Sequence, residues 1–338
     1  MEERVKNILT AIISSYIKTA EPVGSRTLSK SLELNLSPAT IRNVMSDLVD
    51  SGYLLQPHTS AGRVPTHKAY RFYAESMVTA NSIPEEIKEM IERTLGESSQ
   101  DLETLLGNTT RLLADLTRFT GIVAAPRADR ARLKRIEFIK VGARQVFVVL
   151  ITRSNMVHNK IIETGEELNQ EQLNTITSYL NGEFGNRSLM DIRSDVMARL
   201  MEEKSRYDQM LAQVVRLGKK AFELPESAAL YVDGQSNLVR EFQEGDTLSL
   251  LLKALEEKIS IVQLLDKTLQ ANGVQIYIGA ENGPKELQDC SIITSQYGEG
   301  SHILGALGVI GPTRMDYPRV IPIVDYTAKI LSQAISHS

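Results

Sequence analysis

Apolar residues recur at helical spacing from the start of the chain. Val5, Ile8, Leu9, Ile12, Ile13, Tyr16 and Ile17 form one stripe on a 3.6-residue helix. Glu21-Pro22-Val23-Gly24 is expected to end that helix, and Ser25 to cap a short second one carrying Leu28 and Leu32. Leu34-Asn35-Leu36 turns the chain. Ser37-Pro38 then sets a capping hydroxyl before a proline at the first helical position. The third helix should run to about Ser51, with Gly52 terminating it. Tyr53-Leu54-Leu55 reads as a short strand and the stretch from Arg63 to Thr66 as a second, followed by a connecting helix from Lys68 to Met77. Helix, helix, turn, helix, strand, glycine-containing loop and strand is the winged helix-turn-helix order.

Asn81-Ser82-Ile83-Pro84 punctuates the chain, and two more helices follow. In the second of these, Ser98 or Ser99 is expected to cap a run with Leu102, Leu105, Leu106, Leu112, Leu113 and Leu116 on one face. From Gly121 the pattern changes to period two or short apolar runs. Gly121 to Ala125, Arg135 to Ile139, Val146 to Thr152 and Met156 to Ile162 are expected to share one antiparallel sheet. The helical pattern returns at Asn169, with long helices predicted over about Asp191 to Phe222 and Asp246 to Ala271 and a strand near Leu230-Tyr231-Val232 between them. Strands resume at Val274 to Ile278, Ser291 to Ser295 and Gly305 to Ile310, before a final helix from about Ile321 to Ile335. The pattern is a sheet domain interrupted by a mainly helical block.

A length of 338 residues suggests two or three domains. The lone cysteine, Cys290, cannot form an internal disulfide, which fits a reducing, cytoplasmic setting. The charged opening M-E-E-R-V-K is unlike a secretory signal, and no stretch approaches the ~18 apolar residues of a membrane span. A soluble cytoplasmic chain without membrane contact is expected. The net charge of -4 argues weakly against nucleic acid, but charge must be read by segment. Residues 1 to 75 hold nine Lys/Arg and seven Asp/Glu, a balance of +2. From Ser51 to Ala74 there is no carboxylate at all, while His58, Arg63, His67, Lys68 and Arg71 lie in that window.

On the third helix, Ile41, Val44, Met45 and Leu48 fall within one arc and must face a core. Ala39, Asn43 and Ser46 then lie opposite, flanked by Thr40 and Arg42. Small residues allow close approach to a major groove, an amide can pair with adenine, and an arginine can pair with guanine or hold a phosphate. An ordinary solvated helix face would look similar. In the expected wing, Pro57 and Pro65 stiffen the ends, and Gly62 permits a tight approach or an unusual backbone angle. Arg63 is expected at or near the tip, while Thr59, Ser60 and Thr66 offer neutral phosphate donors. No metalloprotease, phosphate-loop or nucleophile-elbow motif occurs. His58, His67, His158, His302 and His337 lack ligand spacing, and the glycines from Gly298 to Gly311 read as turns around a strand. Cys290 reads as a buried small hydrophobe, and Arg127, Arg130, Arg132, Lys134 and Arg135 as a solvated hairpin or a second anion contact. No catalytic residue, metal site or cofactor is expected.

The words S-P-A-T-I-R-N-V-M-S-D-L (37 to 48), G-Y-L-L-Q-P-H-T-S-A-G-R-V-P-T (52 to 66), K-A-Y-R-F-Y (68 to 73) and G-A-L-G-V-I-G-P-T-R-M-D-Y (305 to 317) resemble the bacterial heat-inducible transcription repressor HrcA family. The resemblance covers the whole chain in order and length. It implies an α+β multidomain fold: an N-terminal winged helix-turn-helix, then a GAF-like antiparallel sheet domain interrupted by a mainly helical dimerisation domain. The expected limits are 1–77 for the head, 78–165 for linker helices and the first GAF-like part, 166–245 for the insertion, and 246–338 for the second GAF-like part. The resemblance further implies a homodimer that represses chaperone operons from an inverted-repeat operator, CIRCE, with its active state supported by the GroEL chaperonin. The expected DNA-contacting set is Ser37, Thr40, Arg42, Asn43, Ser46, His58, Thr59, Arg63, Thr66 and Lys68. A helical stripe of Val196, Leu200, Tyr207, Leu211 and Val214 is the candidate dimer contact. Two rivals remain open: a winged-helix regulator whose GAF-like domain binds a small effector, and an enzyme with an appended DNA-binding domain.

Overall fold

A computed structural model describes residues 1–31, 36–58, 61–77, 83–96, 101–126, 131–153, 156–192, 194–195, 216–222, 229–242, 245–271, 273–299 and 302–337. The predicted turn at Leu34-Asn35, the caps Ser98 and Ser99, Thr59 and Ser60 of the wing, and the stripe from Val196 to Val214 fall outside them.

Helix α1 (Glu3–Thr19) buries Ile8, Leu9, Ile12 and Ile13 completely, as its stripe requires. After α2 (Ser25–Ser31), the Ser37 hydroxyl accepts the Thr40 N–H at 3.1 Å and opens α3 (Pro38–Asp50). The end of α3 is a Schellman motif: Tyr53 N–H donates to Leu48 O and Gly52 N–H to Val49 O, both at 2.9 Å, with Gly52 at φ +74°. Strands β1 (Leu54–Leu55) and β2 (Val64–Pro65) pair antiparallel and form the wing. Helix α4 (His67–Met77) then leads to α5 (Glu85–Leu95) and α6 (Leu102–Thr117). Asp101, rather than Ser98 or Ser99, caps α6, its carboxylate accepting Thr104 N–H at 3.0 Å.

The strands after α6 do not share one sheet. β3 (Thr120–Ala124) lies inside a five-stranded antiparallel sheet of order β7-β3-β10-β9-β8, with β7 at Leu230–Asp233, β8 at Gln275–Ile278, β9 at Cys290–Glu299 and β10 at His302–Pro312. β4 (Leu133–Lys140), β5 (Gln145–Thr152) and β6 (Val157–Glu163) form a separate three-stranded meander. The burial pattern separates them: every residue of β3 is buried, whereas β5 alternates. Helix α7 (Gln170–Phe184) covers the meander and opens with a capping box between Asn169 and Gln172. Asn181 on α7 ties helix to sheet, bonding the N–H and the C=O of Ile136 at 2.8 and 2.9 Å. Residues 189–192 and 216–221 are also helical.

The helix predicted over 246–271 is two helices, α9 (Gly245–Glu257) and α10 (Ile259–Thr268), following the short α8 (Gln235–Glu241). Lys258 breaks it at φ +59°, and its ammonium donates to Leu230 O of β7 at 3.1 Å, so the break docks the pair onto the sheet edge. The glycines read as turns around a strand lie largely within β9 and β10. A Cβ at Gly308 would fall 2.2 Å from Ile293 O, so the strands meet there only because it is absent. Cys290 opens β9 with its side chain buried, where desolvation pushes its thiol up to about 12. The last helix, α11 (Tyr317–His337), completes a core continuous with that of the winged head.

Candidate nucleic-acid interface

The burial pattern of α3 separates a buried stripe from an open face. Ile41, Met45 and Leu48 are buried and Val44 is half-buried, while Ala39, Arg42, Asn43 and Ser46 are exposed. Thr40 is half-buried and shares a 2.9 Å hydroxyl contact with Ser37, so the first turn is tied to its own cap. The outward face therefore presents an amide, a guanidinium and two small residues with no carboxylate before Asp47.

The wing is more firmly anchored than its sequence suggests. Val23, in the connection between α1 and α2, exchanges both backbone hydrogen bonds with Arg63 at 2.9 Å and adds a third short extended segment to β1 and β2. Gly62 makes this possible: a Cβ there would lie 2.6 Å from Pro22 O and from Val23. Arg63 thus lies on the loop side of the Leu55–Val64 pair, tied to Val23 and half-buried, with its Nε buried and unbonded and its Nη1 at 3.4 Å from Ala61 O.

Thr66 and Lys68 already have partners. The Thr66 hydroxyl donates to Gly52 O at 2.8 Å and accepts from Ala69 N–H at 3.4 Å, joining the end of α3 to the start of α4. The Lys68 ammonium donates to Ser51 O at 2.9 Å and lies 4.3 Å from the centre of the Tyr53 ring, yet Lys68 remains exposed. His58 is exposed on the approach to the wing, and Thr59 lies outside the described residues.

Arg42 and Arg63 come together in a cleft of about 420 Å³ between the start of α2, α3 and the wing. Arg26 and Gln56 also line it. Arg26 is absent from the set that the sequence singles out. Its signal is its place on the first turn of the helix before the reading helix, an end whose N–H groups favour anions.

The head is packed on the rest of the molecule through α4. Tyr70 and Tyr73 stack around Tyr317 at ring distances of 6.2 and 6.4 Å. Burial raises the phenol pKa of all three. Arg71 donates to Ile276 O at 2.6 Å and forks onto the Glu281 carboxylate, which also accepts Ile278 N–H at 2.9 Å.

Three helices, a wing and an outward face on the third helix that carries no carboxylate before Asp47 define a winged helix-turn-helix DNA-binding protein. Residues 1–79 match the family described as winged helix-turn-helix transcription repressor, HrcA DNA-binding, and residues 103–321 match the HrcA protein C terminal domain. The chain belongs to the HrcA family. It is 44% identical to the heat-inducible transcription repressor HrcA of Geobacter sulfurreducens over 99% of this chain and 98% of that protein. It is 40% identical to that of Syntrophobacter fumaroxidans over 99% of this chain and 97% of that protein. A solved structure of a hypothetical protein, 25% identical, superposes with a TM-score of 0.66 and full coverage of both chains. No helix among the described residues is long and apolar enough to cross a membrane, and none of their acidic, His and Cys side chains group to hold a metal.

Proposed function

We propose that this chain is a cytoplasmic, homodimeric repressor of heat-shock (chaperone) operons that binds the inverted-repeat CIRCE operator, its active state supported by the GroEL chaperonin. The observation that carries the reading is the exposed face of α3, with Arg42 and Asn43 outward and no acid before Asp47, set beside the arginine-lined cleft. Membership of a family of heat-inducible transcription repressors supports heat-shock genes as the target. Ser37, Thr40, Arg42, Asn43, Ser46, His58, Thr59 and Arg63 are proposed at the DNA surface. Thr66 and Lys68 contribute mainly by fixing the wing to α3.

Because β3 pairs with β7 and β4–β6 form their own sheet, the insertion is proposed to span 125–229 rather than the expected 166–245, leaving a GAF-like sheet domain of 78–124 and 230–338. The insertion is proposed as the dimerisation unit. The side of its meander facing away from α7 exposes Ile139, Val157 and Ile161. Footprinting of the purified protein on promoter DNA carrying an inverted repeat tests the reading. Protection of two half-sites, enhanced by GroEL, is expected. Equal protection of random sequence would refute it.

A further inference from the structure

We propose that the cleft between α2, α3 and the wing is a phosphate clamp, in which Arg26, Arg42 and Arg63 together hold one phosphodiester group of the duplex backbone. The inference rests on the DNA-binding reading above and adds a site and a residue to it. Three arginines line one concavity of about 420 Å³, and no acidic residue lines it. Among the described residues, neither the Arg26 nor the Arg42 side chain forms an ion pair. Like charges gathered without a counter-ion are a standing demand for an anion, and a guanidinium fork matches the geometry of phosphate oxygens.

Arg63 gives the second observation. Its backbone is locked to Val23 by two 2.9 Å bonds, and the missing Cβ at Gly62 lets that segment pack against Pro22 and Val23, just before α2. The arginine is therefore held in place before any ligand arrives. Its Nε is nevertheless buried without an acceptor, and the bond from its Nη1 to Ala61 O, at 3.4 Å, is long. A donor fixed and left short of acceptors suits a ligand that brings oxygen atoms.

The position of the cleft selects the source of that phosphate. Arg42 belongs both to the cleft and to the exposed face of α3, one residue from Asn43. A duplex lying along α3 and reaching the wing must carry its backbone across the space between them. A phosphate seated there fixes register without reading sequence.

The test is a titration of wild type and Arg26→Gln against two duplexes, one with the inverted repeat and one random, from 50 to 200 mM salt. Arg26 is exposed, so the variant should fold like wild type; its melting curve checks this. Both duplexes are expected to bind about tenfold more weakly, in keeping with removal of a charge-assisted hydrogen bond. The slope of log affinity against log salt should flatten by about 0.9 for each phosphate no longer neutralised. A series of operator duplexes, each with one neutral methylphosphonate, should weaken wild type sharply at one backbone position per half-site and leave Arg26→Gln indifferent to that position.

Unchanged affinity and slope in Arg26→Gln, alongside weakened binding by Asn43→Ala, would overturn the clamp and leave the DNA-binding reading standing. A flat methylphosphonate series, with inorganic phosphate competing for wild type but not for Arg26→Gln, would make the cleft a free-anion site and overturn it too. Failure of wild type to bind either duplex would overturn both proposals together.

Discussion

The winged head and the unit built from β4–β6 and α7 are mounted in opposite ways. The head has no core of its own: Ile8, Ile41 and Leu54 belong to the same apolar cluster as Tyr317, Val324 and Leu331 of the sheet domain. The inserted unit buries Phe138, Val148, Leu173 and Phe184 in a cluster separate from that one. Their surfaces differ as well. The head shows DNA-sized polar groups on α3, whereas the meander shows Ile139, Val157 and Ile161. A shared core makes the reading head and sheet domain one mechanical body, while a private core lets the insertion present an apolar face without disturbing the head. In the proposed dimer, the distance between two heads is then set by the insertions and transmitted through the sheet domains.

The largest expected effect tests the separation of cores. Phe184→Ala should cost about 3–5 kcal/mol within the inserted unit. Native-state hydrogen exchange should show amides of β5 and α7 losing protection while those of α1 and α3 keep theirs. Loss of protection in α1 would mean the two cores are coupled.

Next comes the apolar face. Ile161 is 61% exposed, and Phe147 and Ile139 lie across from it on β5 and β4. Ile161→Glu should weaken the dimer by about 2–4 kcal/mol, the range of an interface hot spot, with little change in the melting of the monomer. Sedimentation velocity at falling concentration measures it, and an undiminished dimer would remove this face from the interface.

A smaller effect belongs to the reading face. Asn43→Ala should cost about 1–3 kcal/mol on the inverted repeat and little on random DNA. Equal losses on both duplexes would turn Asn43 into a backbone contact.

What the chain's letters disclose follows the same division. The head is legible because its signals are local: the stripe of α1, the Ser37-Pro38 start and the Gly52 stop each act within a few residues. Strand partners are not legible. Period-two alternation marks β4, β5 and β6 as strands but carries no label for the strand beside them, so the pattern groups β3 with the wrong sheet. Lys258 gives no warning of a break because the cause is distant, a bond to Leu230 on β7. The anchoring of Arg63 is hidden for a similar reason, since the partner that holds its backbone is Val23, forty positions earlier. At the interface, the α3 side chains follow from helical geometry, whereas Arg26 stays hidden because only the tertiary fold brings α2 beside the wing.

The smallest effect concerns Ser37, which has two proposed roles that one substitution cannot separate. Its hydroxyl caps α3 through Thr40 N–H and touches the Thr40 hydroxyl, and its exposed position is compatible with the proposed DNA contact. Ser37→Ala should cost about 1 kcal/mol of stability through the lost cap, and Ser37→Gly only a few tenths. The matching cut in the other region, Asn169→Ala, removes the side-chain half of a capping box, the bond accepted from Gln172 N–H, and should cost about as much. In the head, however, the loss falls on the first turn of the reading helix, so DNA affinity should fall with stability. Ser37→Asp separates the two roles. An aspartate caps as well as serine and favours the positive end of the helix, so melting should return to the wild-type value. Its charge would meet the backbone phosphates, so affinity for both duplexes should drop further than in Ser37→Ala and fall less steeply as salt rises. If Ser37→Asp instead restores melting and affinity together, Ser37 acts as a cap alone, and the edge of the DNA surface lies further along α3, at Arg42 and Asn43.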